Sequence, residues 1–240
     1  MTSDCALPAS FLHALQDAVG SANLLTDLDR CTSYGVDALG TGHRADAVVL
    51  PDSTDQVAVI LNLCNASEVS VTPRGAGTGY TGGAVPVNGG IVLAFDRLNH
   101  ILEIDKSNLL AIVQPNVVTG TLQQAVERMG LFYPPDPASL NRSVIGGNVA
   151  ECAGGPRAFK YGTTKRYVLG LEAVLPTGQI IRTGGKSVKN VVGYDLTSLL
   201  VGSEGTLAVV TEIILRLIPR PISRSTLHVG CQSIEQAIAA

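Results

Sequence analysis

The stretch PRGAGTGYTGG, residues 73–83, decides how this chain is read. Gly77, Gly79 and Gly82 satisfy GxGxxG, a spacing that dinucleotide-binding folds place between a strand and a helix. Residues 69–72 supply a strand before it. The residues after it, AVPVNGG at 84–90, cannot open a helix, because Pro86 and the pair Gly89-Gly90 interrupt them. That weakens the nicotinamide-binding reading. A Walker loop is excluded as well: Lys186-Ser187 follows Gly185, but the first glycine of that motif would fall at Ile180. What remains is a loop of many free backbone N–H groups with one arginine. Successive amides of this kind form a concave anion site. A diphosphate suits it, taking several N–H bonds while Arg74 offsets part of its charge.

Outward from the loop, the pattern alternates. Residues 47–50 form a short apolar strand closed by Pro51. Ser53 or Thr54 then caps a helix with Val57, Ile60, Leu61 and Cys64 on one face. With residues 69–72 this makes a β-α-β unit. Upstream, Ser10 is the expected cap of a helix carrying Phe11, Leu12, Leu15 and Val19. Downstream, residues 91–95 and 110–114 read as strands. A helix over 120–129 follows, with Thr119 or Thr121 near its start and Gly130 as its stop. Residues 168–175 and 179–182 flank Pro176-Thr-Gly178 as a hairpin, and 206–217 is a long β-rich run. Pro219 and Pro221 mark a domain edge, after which residues 226–240 read as one strand and the start of a helix.

Composition narrows the function classes. The chain has 240 residues, 45% hydrophobic and 15% charged, with a mean hydropathy of +0.28. This argues against global disorder. The best candidate span, residues 206–219, is too short to cross a bilayer and contains Glu212 and Arg216. Asp4 and the lack of a basic N-terminal stretch argue against a secretory signal. A net charge of −3 and 4% aromatics, with no Trp, argue against nucleic-acid binding. The cysteines, at 5, 31, 64, 152 and 231, are odd in number and widely spaced. The histidines, at 13, 43, 100 and 228, are scattered. Neither set makes a metal centre, and the cysteines suit a reducing compartment.

Two further glycine-bearing segments follow in order: PPDPAS at 134–139 leading to IGGNVAECAGG at 145–155, then GSEGTLAVVTE at 202–212. The first is either a turn and a short helix with small packing residues, or a platform for a flat ring. The second pairs a tight turn with a strand. Cys152 is a small residue tolerated beside a ring or a redox-sensitive thiol.

Taken together with KYGTTKRYVLGLEAVLPTG and GYDLTSLL, these motifs resemble the FAD-binding domain of the p-cresol methylhydroxylase and vanillyl-alcohol oxidase type, within it the group of glycolate oxidase FAD subunits and D-lactate dehydrogenases. The resemblance covers residues 40–222. It implies an α+β fold of two subdomains, a small β-α-β one and a larger, mainly antiparallel one. The implied division is a helical lead-in over 1–45, the FAD-binding domain over 46–222, and at 223–240 the start of a truncated cap domain. It assigns the diphosphate to Pro73, Arg74, Gly75, Ala76, Gly77, Thr78, Gly79 and Tyr80. Asp136, Pro137 and Ser139 would line the flavin and ribityl region, followed by Gly146, Gly147, Asn148, Glu151, Cys152, Ala153 and Gly154. Glu204, Gly205 and Val210 would close the site from the second subdomain. No histidine lies between Arg74 and Gly83, so a non-covalent FAD is expected.

The implied reaction is oxidation of a 2-hydroxy acid, glycolate or D-lactate, by hydride transfer to the flavin, with a quinone or a partner subunit as acceptor. The location expected is the cytoplasm, peripheral to the inner membrane through partners. A substrate carboxylate needs a cation. Lys160, Lys165, Arg166, Lys186 and Lys189 are candidates, and Lys189 is singled out because Gly193-Tyr-Asp195 after it reads as buried or functional. No catalytic base and no metal ligand is assigned, and the cap residues that bind substrate in larger relatives are missing. The chain alone is therefore expected to bind FAD and oxidise substrate poorly; the alternative is a non-catalytic FAD-binding or assembly module.

Overall fold

A computed structural model describes residues 7–40 and 42–239. Asp4 and Cys5 lie outside the described residues. The first half contains α1 (Ala9–Val19), β1 (Leu24–Leu25), α2 (Leu28–Ser33), β2 (Ala47–Val49), α3 (Thr54–Ala66), β3 (Val71–Arg74) and β4 (Ile91–Ala94). Their sheet runs β1-β2-β4-β3, with β2, β4 and β3 mutually parallel and β1 antiparallel to β2. The expected β-α-β unit is present, but its two strands are not neighbours: β4 lies between them. Both faces of this sheet are covered, so β2 and β4 are unbroken apolar runs, buried at every position. Ser53 caps α3, its hydroxyl accepting from the Gln56 N–H. Ser10 does not cap α1. Pro8 holds the cap position, and its carbonyl takes the N–H groups of Phe11 and Leu12.

The second half contains β5 (Ile101–Asp105), β6 (Leu110–Val113), α4 (Thr119–Arg128), β7 (Leu131–Phe132), α5 (Ile145–Glu151), α6 (Ala158–Tyr161), β8 (Val168–Val174), β9 (Ile180–Gly184), α7 (Leu196–Leu200), β10 (Val209–Arg216), β11 (Ile218–Pro219) and α8 (Ile234–Ala239). The sheet β5-β6-β10-β8-β9 is antiparallel throughout. Along β10, Val209, Thr211, Ile213 and Leu215 turn inward and the residues between them turn out, the period-2 pattern of a strand with one covered face. β5 escaped the sequence reading because Glu103 and Asp105 interrupt its apolar residues. Thr119 opens α4 as expected; Val118 occupies the cap position and makes no side-chain cap. Residues 226–231 do not form the expected strand; they are exposed and irregular, whereas a helix, α8, does follow.

The two sheets are joined by apolar packing. Val174 at the end of β8 and Val209 at the start of β10 enter the core formed by α1, α3 and the first sheet. Beside them, Glu172 on β8 bridges the halves. Its Oε1 accepts from the Thr54 hydroxyl at the start of α3 at 2.6 Å, and its Oε2 accepts from Arg182 at 2.6 and 2.8 Å. Burial pushes this carboxyl up, but the bonds from Thr54 and Arg182 outweigh it, and the net shift is downward. A depressed carboxylate stabilises the fold above its unfolded value of about 4.3 and loses that contribution as pH falls through the folded value. Glu172→Gln should lower the thermal midpoint at pH 7, costing ~1–3 kcal/mol for the lost charged bonds. The gap from wild type should shrink as the pH approaches about 4, measured by thermal melts across that range.

Candidate functional site

A cavity of about 340 Å³ opens between the two halves. One wall is the loop from β3 to β4. From Gly75 through Ala84, no backbone N–H donates to an acceptor among the described residues. These ten residues are half-exposed or exposed, so their amides are open to solvent and to a ligand rather than buried without partners. Such a run leaves its donors available to an acceptor from outside the chain.

Arg74 holds this loop from beneath. Only 9% exposed, it donates through one Nη to the Val36 carbonyl at 2.7 Å and to the Ala84 carbonyl at 3.4 Å, and its guanidinium stands 6.0 Å from the Tyr34 ring centroid. Burial lowers its pKa, while Tyr34, Asp96 and Asp37 act in the opposite sense. A Cβ on Gly77, at φ +63°, would lie 2.2 Å from that guanidinium, so the loop is draped over a buried cation. The arginine therefore braces the loop as well as charging it. The bracing strand of chain, residues 36–38, brings Asp37 to the cavity, a residue that sequence reading missed for want of any local motif.

The facing wall is α5 with the turns around it. Gly146 packs against Pro115, where an added Cβ would stand 2.6 Å from the proline side chain; Gly75 is equally close to Val144. Protein packing requires these glycines. Gly79, Gly83 and Gly147 differ. None has a positive φ, and a Cβ on any of them would meet nothing closer than 3.4 Å. All three line the cavity. Their missing side chains keep space that the protein itself does not use, which is what close approach of a ligand to backbone requires.

The C-terminal end of α5 is tied to the turn before β10. Gly202 and Glu204 donate their N–H groups to the carbonyls of Val149 and Ala150, each at 2.9 Å, satisfying helix-end acceptors. Glu204, at φ +52°, and Gly205 are thereby brought to the cavity. Glu204 faces Glu151 across Gly83: a Cβ there would lie 3.4 Å from the Glu151 carboxylate and 3.5 Å from that of Glu204. The Thr81 hydroxyl donates to Glu151 at 3.1 Å. Burial raises the Glu151 pKa, and the charge of Glu204 adds to that.

Of the residues named from sequence, Pro73 through Tyr80, Pro137, Ser139, Gly146, Gly147, Asn148, Glu151, Ala153, Glu204, Gly205 and Val210 line the cavity. Asp136, Cys152 and Gly154 stand behind it. Asp136 pairs with the Arg157 guanidinium at 3.2 Å and accepts its N–H at 3.0 Å, which fixes the turn carrying Pro137 and Ser139. Cys152 ends α5 in a left-handed conformation, its Sγ 3.3 Å from the Thr163 hydroxyl. Lys189 is exposed and outside the cavity, and Tyr194 after it is 95% exposed. The 193–195 turn faces outward, and Asp195 within it caps α7, accepting from the Ser198 N–H at 2.9 Å. Lys160, Lys165, Arg166 and Lys186 do not line the cavity either, and Lys186 is paired with Glu103 at 2.7 Å. Among the described lining residues Arg74 is the only lysine or arginine. The described residues hold no group of three or more side chains suited to a metal ion, and no helix is long and apolar enough to cross a membrane.

Comparison with known proteins agrees with this geometry. The chain is 54% identical over 192 residues to the glycolate oxidase subunit GlcD of Bacillus subtilis (strain 168), covering 80% of this chain and 41% of that one. It is 43% identical over 196 residues to a D-lactate dehydrogenase of Anaerostipes hadrus, covering 82% and 41%. Among solved structures, p-cresol methylhydroxylase superposes with a TM-score of 0.76 at 20% identity, over 89% of this chain and 44% of that one. An alkyldihydroxyacetonephosphate synthase does so with 0.79 at 23%, over 90% and 45%. These likenesses of structure show a shared fold. The chain spans less than half the length of the curated relatives it matches. The FAD binding domain family matches residues 45–184, more than half of the chain, and the chain belongs to that family.

Proposed function

We propose that this chain holds FAD non-covalently in the cleft between its two halves and supplies the FAD-binding part of a flavin-dependent 2-hydroxy-acid dehydrogenase, with glycolate or D-lactate as substrate. The observation that carries the reading is the run of amides over residues 75–84 that donate to no described residue, together with Gly79 and Gly83 in that run and Gly147 opposite, whose missing side chains leave room for a ligand. The loop would take the diphosphate, with Arg74 beneath it. Pro137, Ser139, Gly146, Gly147, Asn148 and Ala153 would border the riboflavin part, and Glu204, Gly205 and Val210 the remainder. When bound, FAD supplies the hydride acceptor for oxidation at the substrate α-carbon. The substrate classes come from the names of the relatives, glycolate oxidase and D-lactate dehydrogenase. The absence of a histidine over residues 75–83 supports a dissociable cofactor.

The chain's own residues bind and orient, and they leave substrate recognition incomplete. A 2-hydroxy acid needs a cation for its carboxylate and a base for its hydroxyl. Among the described lining residues the sole cation, Arg74, is already engaged by two carbonyls. Recognition then falls to a further domain, of which residues 223–240 are the beginning, after an FAD-binding unit at 46–222 and a lead-in at 1–45. The same observation favours a second reading, a module that binds FAD without catalysis. A quinone or partner subunit would accept the electrons. Cys64, Cys152 and Cys231 stand as thiols, in keeping with a cytoplasmic site of action, peripheral to the inner membrane through partners.

Titrating the purified chain with FAD tests the first part: tight uptake with flavin released on acid precipitation is expected, and a protein that stays colourless overturns the reading. Anaerobic glycolate or D-lactate should bleach the bound flavin slowly or not at all in this chain alone, and fast bleaching would place the whole substrate site here. Gly147→Ala should separate fold from site. Alanine inside α5 favours the helix by ~1 kcal/mol, so the apoprotein melts higher, while the FAD dissociation constant rises at least tenfold. Glu151 gives a pH signature. Protonated, it is neutral toward the diphosphate; ionised, it repels it. FAD affinity should therefore fall as pH rises above the ordinary carboxylate range, about 4.3, and Glu151→Gln should flatten that dependence in titrations from pH 4.5 to 7.5.

A further inference from the structure

Three polar side chains are buried together at the cleft: Thr119 at the start of α4, set behind the wall, with Ser143 and with Asn148 on α5, both lining the cavity, the last 3% exposed. Val117, Leu122, Ile145 and Val149 from the same segments belong to the apolar core. Buried polar groups cost stability unless they are bonded, and a core position of this kind is more simply filled by an apolar side chain. The three are fully connected. The Val118–Val144 bridge, together with the Thr119 N–H on the Ser143 carbonyl at 2.9 Å, sets the two segments side by side. The Thr119 hydroxyl donates to the same carbonyl at 3.0 Å, lies 3.0 Å from the Ser143 hydroxyl, and receives the Asn148 Nδ2 at 2.7 Å.

That arrangement orients the Asn148 amide. A hydroxyl has one proton. Given to the Ser143 carbonyl, which can only accept, it leaves the Thr119 oxygen as an acceptor, and the amide must present its NH2 side inward. Asn148 Oδ1 then points the other way. It accepts from no described residue, is not among the buried atoms left without a partner, and belongs to a residue that lines the cavity. We infer that Thr119, which does not itself line the cavity, is a positioning residue that holds Asn148 Oδ1 as a fixed acceptor for a donor on the riboflavin part of FAD, either the ring N3–H or a ribityl hydroxyl. This rests on the FAD reading above.

The test is a double-mutant cycle on FAD affinity, read by flavin fluorescence titration of the apoprotein, with Thr119→Val, Asn148→Leu and the pair. Each single variant should weaken FAD at least fivefold. The pair should be no weaker than Asn148→Leu alone, because Thr119 acts only through that amide. Thr119→Ser, which keeps the hydroxyl, should restore binding to within twofold of wild type. Thr119→Ala carries the same cycle if the valine variant does not fold. FAD methylated at N3 separates the two donors: wild type discriminating against it, and Asn148→Leu not doing so, identifies the ring N3–H, while equal binding of both by wild type identifies a ribityl hydroxyl. Losses that simply add, or Thr119→Val and Thr119→Ala proteins that bind FAD like wild type, overturn the inference. A wild-type chain that takes up no FAD overturns instead the reading beneath it.

Discussion

A buried guanidinium under a loop of unpaired amides is the constraint on which the rest of the site depends. Arg74 sits where desolvation disfavours a charge, and it is kept there by the carbonyl of Val36, in the segment beside the loop, and that of Ala84, at the loop's end. The loop cannot collapse onto itself to pair its own N–H groups without displacing that side chain. The loop stays open along the cleft, with its amides unused by the described residues. Loops and strand ends of this kind can form an anion site without a helix axis, since partial charges from several N–H groups act together with a fixed cation. This is also why the GxGxxG spacing here misleads if read as a strand-turn-helix motif: the same glycines serve a turn that leads, through residues 84–90, straight back into β4.

The cleft exists because two sheets of different kind are locked at one edge. The first sheet, parallel apart from β1, is covered on both faces, and Val174 and Val209 carry the antiparallel sheet into its core. Glu172 adds a polar tie across the same seam. On the cavity side, the turn at 202–205 satisfies the helix-end carbonyls of α5. A helix too short to be stable alone is thereby anchored at its C-terminal end, and Glu204 is delivered to the site by the same bonds. Structural bonds and site geometry are therefore not separable here. The turn that completes α5 is also a wall of the cavity.

Glycine in this chain plays two roles that sequence alone does not distinguish. Gly75 and Gly146 are required by their protein neighbours, Val144 and Pro115, whereas Gly79, Gly83 and Gly147 leave a space that the protein does not fill. Sorting them needs neighbours distant in sequence. The same applies to Asp37, brought to the cavity by the Arg74 bond to Val36, and to Tyr194, whose turn carries an N-cap aspartate and faces solvent. β5 was missed because Glu103 and Asp105 interrupt its apolar residues and a bulge between Ile101 and Glu103 breaks its period, while the β8-β9 hairpin and β10 were legible from turn chemistry and alternation.

The amino-acid sequence by itself determined most of the local elements and the ordered glycine segments. These depend on near neighbours: a cap at Ser53 or Thr54, the proline and glycine pair that forbid a helix after Gly83, the period of β10. Tertiary structure alone decided which strand lies beside which, with β4 between β2 and β3, and which residues meet at the cavity. Pairing partners and cavity walls come from segments tens of residues apart. Their meeting is set by burial of the shared core and by bonds such as Arg74 to Val36 and Thr119 to Asn148, which no local pattern encodes.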